Sequence, residues 1–136
     1  MSFIKFENVK ISGIACKVPK QKFLLEESNL FKSSKDVKKF SKITGIKEKR
    51  HANNSTTTLD LCLDSANQLI SELDWDKTEI DLIVFVTQTP DYPVPNNAII
   101  FQDRLGVKKD SMCFDVPLGC SGYVYGLSIV FSFMEK

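Results

Sequence analysis

The sequence predicts an α/β fold with a largely parallel sheet, because strand-like and helix-like segments alternate along the chain. Residues 81–87 form a continuous apolar run with β-branched side chains, which is the pattern of a strand buried on both faces. Residues 59–73 and 123–134 place apolar side chains at helical spacing. The length of 136 residues is enough for one domain with a hydrophobic core.

The other elements are predicted from shorter patterns. Residues 5–15 alternate between polar and apolar side chains and predict a first strand, which Pro19 closes. Residues 26–41 are polar with a few apolar anchors, and we expect short helices there that Gly45 ends. Two more elements complete the prediction: a helix at 96–105 ended by Gly106, and a strand at 111–115.

Composition and cysteine spacing exclude several classes of protein. A net charge of +1 gives no indication of nucleic-acid or membrane binding. The four cysteines are widely spaced and the chain has one histidine, so we predict neither a zinc site nor a disulfide framework. Charged groups throughout residues 1–20 predict no secretory signal, and no apolar run reaches the ~20 residues that span a bilayer. We therefore expect a cytoplasmic protein without a metal.

The stretch with the clearest chemical content is residues 117–126, PLGCSGYVYG, which joins a predicted strand to a predicted helix. Cys120 lies at this junction, on a tight turn flanked by glycines. Unpaired N–H groups and the helix dipole favour a thiolate there, and the turn places the sulfur outside the packed layer. Cys120 is therefore a candidate nucleophile for thioester chemistry. The alternative is a small buried hydrophobic residue, the usual role of a free cysteine.

Four blocks of the sequence resemble the β-ketoacyl-acyl-carrier-protein synthase III enzymes of the thiolase superfamily. GCSGY at 119–123 is similar to their nucleophile motif. The three other blocks follow the family order: ITGIKEKR at 43–50, DLIVFVTQTPD at 81–91, and PNNA with FQDRLG within 95–106. The resemblance implies the N-terminal portion of a thiolase-like layered αβαβα fold, with a mixed, mainly parallel sheet and a buried central helix. Residues 1–136 would then be a single incomplete domain that lacks the C-terminal half of the fold.

The resemblance also implies an activity and its partners. Cys120 would take an acyl group from an acyl-CoA or an acyl-carrier protein, and a decarboxylative Claisen condensation with malonyl-carrier-protein would follow. No cofactor beyond these thioesters is implied, and the strand at 111–115 would pair in a homodimer. The histidine and asparagine that complete the family's catalytic set fall in the missing half, and His51 lies in the N-terminal motif. We therefore expect this chain to be inactive by itself.

Three further residues are candidates for substrate contact. Val94 matches a position that is often a bulky aromatic and borders the partner's acyl pocket, so a longer or branched acyl group is one interpretation. An ordinary loop residue is the other. Thr87 and Thr89 either line that pocket or are hydroxyls satisfied at the end of a strand.

One departure from the family pattern concerns the acyl donor. Members primed by acetyl-CoA place a tryptophan and an arginine around the adenine, where this chain has Lys39 and Ile43. The donor is then an acyl-carrier protein or another thioester, or CoA is bound differently. A synthase of a specialised pathway (polyketide, quinolone-like or surface-glycan acyl) and a non-catalytic truncated fragment or partner subunit remain alternatives. The eight basic residues within 32–50 are either a docking face for an acidic donor or a solvated helix face.

Overall fold

A computed structural model of the chain describes residues 4–135. The chain divides into two compact units, Lys17–Thr57 and the combination of Met1–Cys16 with Thr58–Lys136. None of the helices within residues 4–135 combines the length and the apolar content that crossing a bilayer requires.

The smaller unit contains one helix and two short strands. β1 (Gln21–Leu24) pairs antiparallel with β2 (Glu48–His51), and α1 (Ser34–Thr44) lies between them in the chain. The Ser33 hydroxyl accepts a hydrogen bond from the Asp36 N–H at 3.3 Å and so begins α1. Gly45, with φ of 75°, ends α1 as the sequence predicted.

The larger unit has the alternating order that the sequence predicted. β3 (Leu82–Val86) and β4 (Met112–Val116) form a parallel pair in which Val84 lies opposite Phe114. A short 3-10 turn, Lys77–Glu79, precedes β3. The elements are α2 (Thr58–Glu72), β3 (Leu82–Val86), α3 (Asn97–Leu105), β4 (Met112–Val116) and α4 (Gly122–Met134).

The two faces of this sheet pack against different helices. Ile83 and Phe85 on β3 are buried in a cluster with side chains of α2 and α3. Val84 and Val86 alternate with them, so they face the opposite side, where α4 lies. β3 is therefore fully buried on one face and half-buried on the other. The buried cluster consists of Leu59, Leu63, Ile83, Phe85, Ala98, Phe101, Leu105 and Val107.

The first strand predicted at residues 5–15 is wrong, because residues 4–19 contain no strand. A strand requires hydrogen bonds to a neighbour, and neither β3 nor β4 pairs with this segment. The segment packs on helices instead. A Cβ at Gly13 would lie 2.8 Å from Leu69 Cδ1 on α2. The Phe6 ring contacts the Phe131 ring of α4 with their centroids 5.6 Å apart.

Candidate active site

Cys120 lies on the turn between β4 and α4. The Gly122 N–H donates a hydrogen bond to the Gly119 carbonyl at 2.8 Å and closes this turn. Ser121 is the N-cap residue of α4, and the Tyr125 N–H donates to its carbonyl at 3.1 Å. Cys120 is exposed, so the alternative of a small buried hydrophobic residue does not hold. The turn presents the thiol outside the packed layers at the start of a helix.

Glycines bring α4 close to the sheet. A Cβ on Gly122 would lie 2.7 Å from Val86 Cγ1, and a Cβ on Gly126 would lie 2.9 Å from Val86 Cγ2. Both separations are shorter than a carbon–carbon contact of about 3.5–4.0 Å. Val86 of β3 thus occupies the space that side chains at positions 122 and 126 would fill. These two glycines lie one turn apart on α4. This contact fixes where α4 begins and therefore where Cys120 lies.

A third glycine, Gly119, accommodates the side chain of Gln88. Gln88 is the second residue after β3, and its carboxamide lies directly against Gly119, next in the chain to Cys120. Gln88 was not among the site residues predicted from the sequence. The only signal available was its place between Thr87 and Thr89, two candidates chosen from the same block of resemblance.

The loop after β3 carries the other candidate residues. Thr87 is buried and Thr89 is exposed. The Thr89 N–H donates to Thr87 Oγ1 at 3.1 Å, and the two hydroxyl oxygens are 3.4 Å apart. These bonds fit the interpretation of hydroxyls satisfied at a strand end. Val94 lies further along the loop and is 84% exposed.

A carboxylate on β4 anchors the first turn of α3. Asp115 Oδ1 accepts a hydrogen bond from the Ala98 N–H at 2.7 Å, and its Oδ2 accepts one from the Asn97 N–H. Asn97 is fully buried, and its Oδ1 accepts a hydrogen bond from the Asp91 N–H at 3.1 Å. Neither residue was predicted to be functional from the sequence: Asn97 lay within the PNNA block, and Asp115 ended the predicted strand at 111–115.

The other cysteines have different environments. Burial raises the pKa of the Cys113 thiol. Burial, and then the nearby Asp91 carboxylate, raise the pKa of the Cys62 thiol. Cys16 is exposed like Cys120 but lies in the segment without regular structure. Within residues 4–135 no group of three or more histidine, cysteine or acidic side chains is placed to hold a metal ion.

The positions expected to contact a CoA adenine lie on α1 in the smaller unit. Lys39 is exposed, and Ile43 is 74% exposed. An open cavity of about 490 Å³ in the same unit is lined by three lysines, one acidic residue, one serine and three apolar residues: Lys38, Lys42, Lys47, Glu26, Ser41, Leu24, Leu25 and Val37. Nearby, Lys22 forms an ion pair with Glu48 at 2.9 Å. The hydrogen bond from Lys22 is the main cause that lowers the pKa of Glu48.

The larger unit is a parallel pair of strands between helical layers, with a cysteine turn that leads into a helix packed on the sheet through glycines. This arrangement defines a portion of the thiolase-like fold. A solved 3-oxoacyl-(acyl-carrier protein) synthase from Burkholderia xenovorans superposes with a TM-score of 0.83 at 28% identity. The superposition covers 89% of this chain and 36% of that one.

Curated relatives identify the family. A putative 3-oxoacyl-[acyl-carrier-protein] synthase 3 of Campylobacter jejuni is 31% identical over 97% of this chain. A β-ketoacyl-[acyl-carrier-protein] synthase III of Lactobacillus helveticus is 35% identical over 93% of it. The chain spans 38% of the length of each of these relatives. No protein-family model matches the chain. The chain belongs to the β-ketoacyl-acyl-carrier-protein synthase III family and corresponds to an N-terminal portion of it.

Proposed function

We propose that this chain is the nucleophile-bearing part of a condensing acyltransferase, a single incomplete thiolase-like domain. Cys120 takes an acyl group from a thioester, and in the complete enzyme the acyl group condenses with malonyl-carrier-protein after decarboxylation. The observation that carries the proposal is the exposed thiol of Cys120 on the turn that begins α4. That turn occurs in a chain 31% and 35% identical to named synthases.

The geometry of the turn fits the acyl-transfer step. The Cys120 thiolate attacks the thioester carbonyl carbon, the new carbon–sulfur bond forms, and the old one breaks. The donor leaves as a thiolate that takes up a proton. The Gly122 N–H is already bonded to Gly119, whereas the Cys120 N–H has no hydrogen-bond partner among residues 4–135. The Cys120 N–H is therefore available to stabilise the oxyanion that forms on the carbonyl oxygen.

The smaller unit favours an anionic acyl donor. Lys38, Lys42 and Lys47 line its open cavity, against one acidic side chain, Glu26. CoA and acyl-carrier proteins are both anionic, and a concentration of positive charge raises the rate at which such partners are encountered. Lys39 and Ile43 supply neither the aromatic ring nor the guanidinium expected around adenine, and this favours a carrier protein or a specialised thioester over acetyl-CoA. A homodimer in the cytoplasm that uses no cofactor completes the proposal.

A non-catalytic partner subunit is the second candidate function. The exposed Cys120 argues against it, because a subunit that only pairs with an active one has no need of an accessible thiol at this turn.

Acyl transfer to Cys120 is tested by intact mass spectrometry after incubation with acyl-CoA and acyl-carrier-protein donors. Cys120→Ala is the test variant, and Cys16→Ala is the matched control because it removes the other exposed thiol. Although we do not expect the chain to complete the condensation by itself, acyl transfer depends on Cys120, so we expect a mass gain of one acyl group in the unchanged chain and in Cys16→Ala, and none in Cys120→Ala. A gain that persists in Cys120→Ala, or no gain with any donor, would overturn the proposal for this chain.

A further inference from the structure

The carboxamide of Gln88 is packed against the nucleophile turn more closely than any side chain at Gly119 would allow. A Cβ on Gly119 would lie 2.3 Å from Gln88 Oε1, 2.6 Å from Cδ and 2.9 Å from Nε2. All three atoms of the amide group therefore approach the Gly119 Cα at once. Gly119 is joined by its peptide bond to Cys120, so the amide lies one residue away from the nucleophile.

This amide has no partner within the described chain. A glutamine carboxamide offers two N–H donors and an acceptor oxygen, yet Gln88 makes no hydrogen bond to any other residue within 4–135. Its neighbours Thr87 and Thr89 are bonded to each other. Gln88 is also exposed, which leaves its donors open to a molecule that approaches the turn from solvent. It is thus the polar side chain of this loop whose donors remain available at Cys120.

We propose that Gln88 is a substrate-binding residue of the acyl-transfer step and that its Nε2–H donates a hydrogen bond to the carbonyl oxygen of the incoming thioester. The inference rests on the function proposed above. As the Cys120 sulfur bonds to the carbonyl carbon, negative charge develops on that oxygen, and Gln88 shares it with the Cys120 N–H. When the tetrahedral species collapses, the donor's carbon–sulfur bond breaks and its thiolate leaves. Side-chain amides that donate to such an oxyanion stabilise the transition state more than the ground state.

Gly119 is part of the same inference. A methyl group at Gly119 would occupy the place of the Gln88 amide, and a flexible glutamine side chain can swing away from it. Gly119→Ala should therefore displace the amide without breaking the turn, because φ at Gly119 is not in the left-handed region. Gln88→Ala and Gly119→Ala then remove the same contact by two independent routes.

The test compares two reactions of the same thiol in the 136-residue chain. S-phenyl thioacetate acetylates Cys120 through an oxyanion and needs no carrier-binding surface. Iodoacetamide alkylates Cys120 at a saturated carbon and forms no oxyanion, so its rate reports the reactivity of the thiol alone. Peptide mass spectrometry gives both rates in the unchanged chain, Gln88→Ala, Gly119→Ala and the double variant. Gln68→Ala on α2 is the matched control, since it removes an exposed glutamine elsewhere.

We expect Gln88→Ala to slow acetylation about tenfold, the effect of losing one hydrogen bond of about 1.4 kcal/mol, while alkylation stays within about twofold. Gly119→Ala should match it, and the double variant should be no slower than either single variant, because they share one contact. Circular dichroism checks each fold, and Gly119→Ala supplies the measurement if Gln88→Ala does not fold.

Three results would overturn this inference and leave the proposed function standing: unchanged acetylation in Gln88→Ala, equal slowing of acetylation and alkylation, or effects that multiply in the double variant. Equal slowing would mean that Gln88 only holds the turn in place. If the unchanged chain is alkylated at Cys120 but not acetylated there, the proposed function itself fails, and this inference fails with it.

Discussion

The Asp115 carboxylate on β4 accepts a hydrogen bond from the backbone N–H of Asn97 at 2.8 Å, at the start of α3. With the second bond from Ala98, the carboxylate satisfies two of the N–H groups that a helix leaves unpaired at its first turn. The negative charge also lies at the positive end of the helix dipole. Since β4 leads directly into the Cys120 turn, this contact connects α3 and the loop before it to the strand that positions Cys120.

Asp115→Asn tests how much these hydrogen bonds contribute to stability. The amide keeps the shape of the carboxylate but loses its charge and one of its two acceptor oxygens. We expect the free energy of unfolding to fall by about 1–3 kcal/mol, the typical cost of hydrogen bonds to a charged group. Urea unfolding followed by circular dichroism measures it. Asp110→Asn is the control, because Asp110 is exposed and should stay within about 0.5 kcal/mol. An equal loss of stability in the two variants would show that the Asp115 carboxylate contributes no more than the exposed Asp110 carboxylate.

Gly126→Ala is expected to destabilise the chain although alanine is the better helix former by about 1 kcal/mol. Its Cβ would lie 2.9 Å from Val86 Cγ2, and this short branched side chain has little freedom to move. Overpacking of this kind costs about 1–3 kcal/mol. In a Val86→Ala background the clash is gone, so the same substitution should become neutral or stabilising. Thermal unfolding of the four proteins measures the coupling, and a Gly126→Ala variant more stable than the unchanged chain would refute the close packing.

The four cysteines should differ in the pH at which their thiols are alkylated. Burial raises the pKa of Cys62 and of Cys113, so at pH 8 both stay protonated and shielded. Brief iodoacetamide treatment should label Cys120 and Cys16 first, and Cys62 only at higher pH. Peptide mapping checks the order of labelling, and labelling of Cys62 as fast as Cys16 would contradict it.

The raised pKa values of Cys62 and Cys113 also affect stability. The unfolded thiols ionise near pH 8.5 while the folded ones keep their protons, so the free energy of unfolding should fall as pH rises above that value.

Much of the larger unit could be predicted from the sequence because its elements are set by local patterns. The apolar run became β3, and the helical spacing became α2 and α4. Each of these elements buries one face whatever its neighbours are, so its pattern can be recognised locally. Gly45 and Gly106 ended their helices because each adopts a positive φ, 75° and 76°. Burial of β3 was overestimated on the side of Val84, which is only half-buried.

The smaller unit was harder to predict because its strands carry no such pattern. β1 and β2 are four residues each, and β2 reads EKRH, with charged or polar side chains throughout. Their pairing depends on contacts between residues far apart in the chain, such as the Phe23 and His51 rings at 4.7 Å. The strand predicted at residues 5–15, which the structure does not contain, was wrong for the same reason. Alternation shows that a segment can form a strand, but only a paired neighbour makes it one.

For the candidate site, the sequence could locate Cys120 but not what surrounds it. A cysteine between glycines at a strand–helix junction is a local signal. The Gln88 amide reaches the turn across the sheet edge, and Asp115 reaches Asn97 over 18 residues of sequence. Such contacts follow from the parallel register of β3 and β4, which no local pattern encodes.

Asn97→Ala should loosen the loop that carries Val94 while leaving the sheet intact. Asn97 Oδ1 accepts the Asp91 N–H at 3.1 Å, and its buried Nδ2 has no partner within the described residues, so the loop depends on the oxygen alone. We expect hydrogen exchange at the Asp91 N–H to become about tenfold faster, as loss of one hydrogen bond of about 1.4 kcal/mol implies. The Thr87 N–H, which donates to the Val116 carbonyl at 3.2 Å, is the internal control and should keep its protection. Exchange measured by NMR decides the matter: equal acceleration at both sites would mean that Asn97 supports the whole sheet edge, whereas no acceleration at Asp91 would mean that other contacts hold the loop.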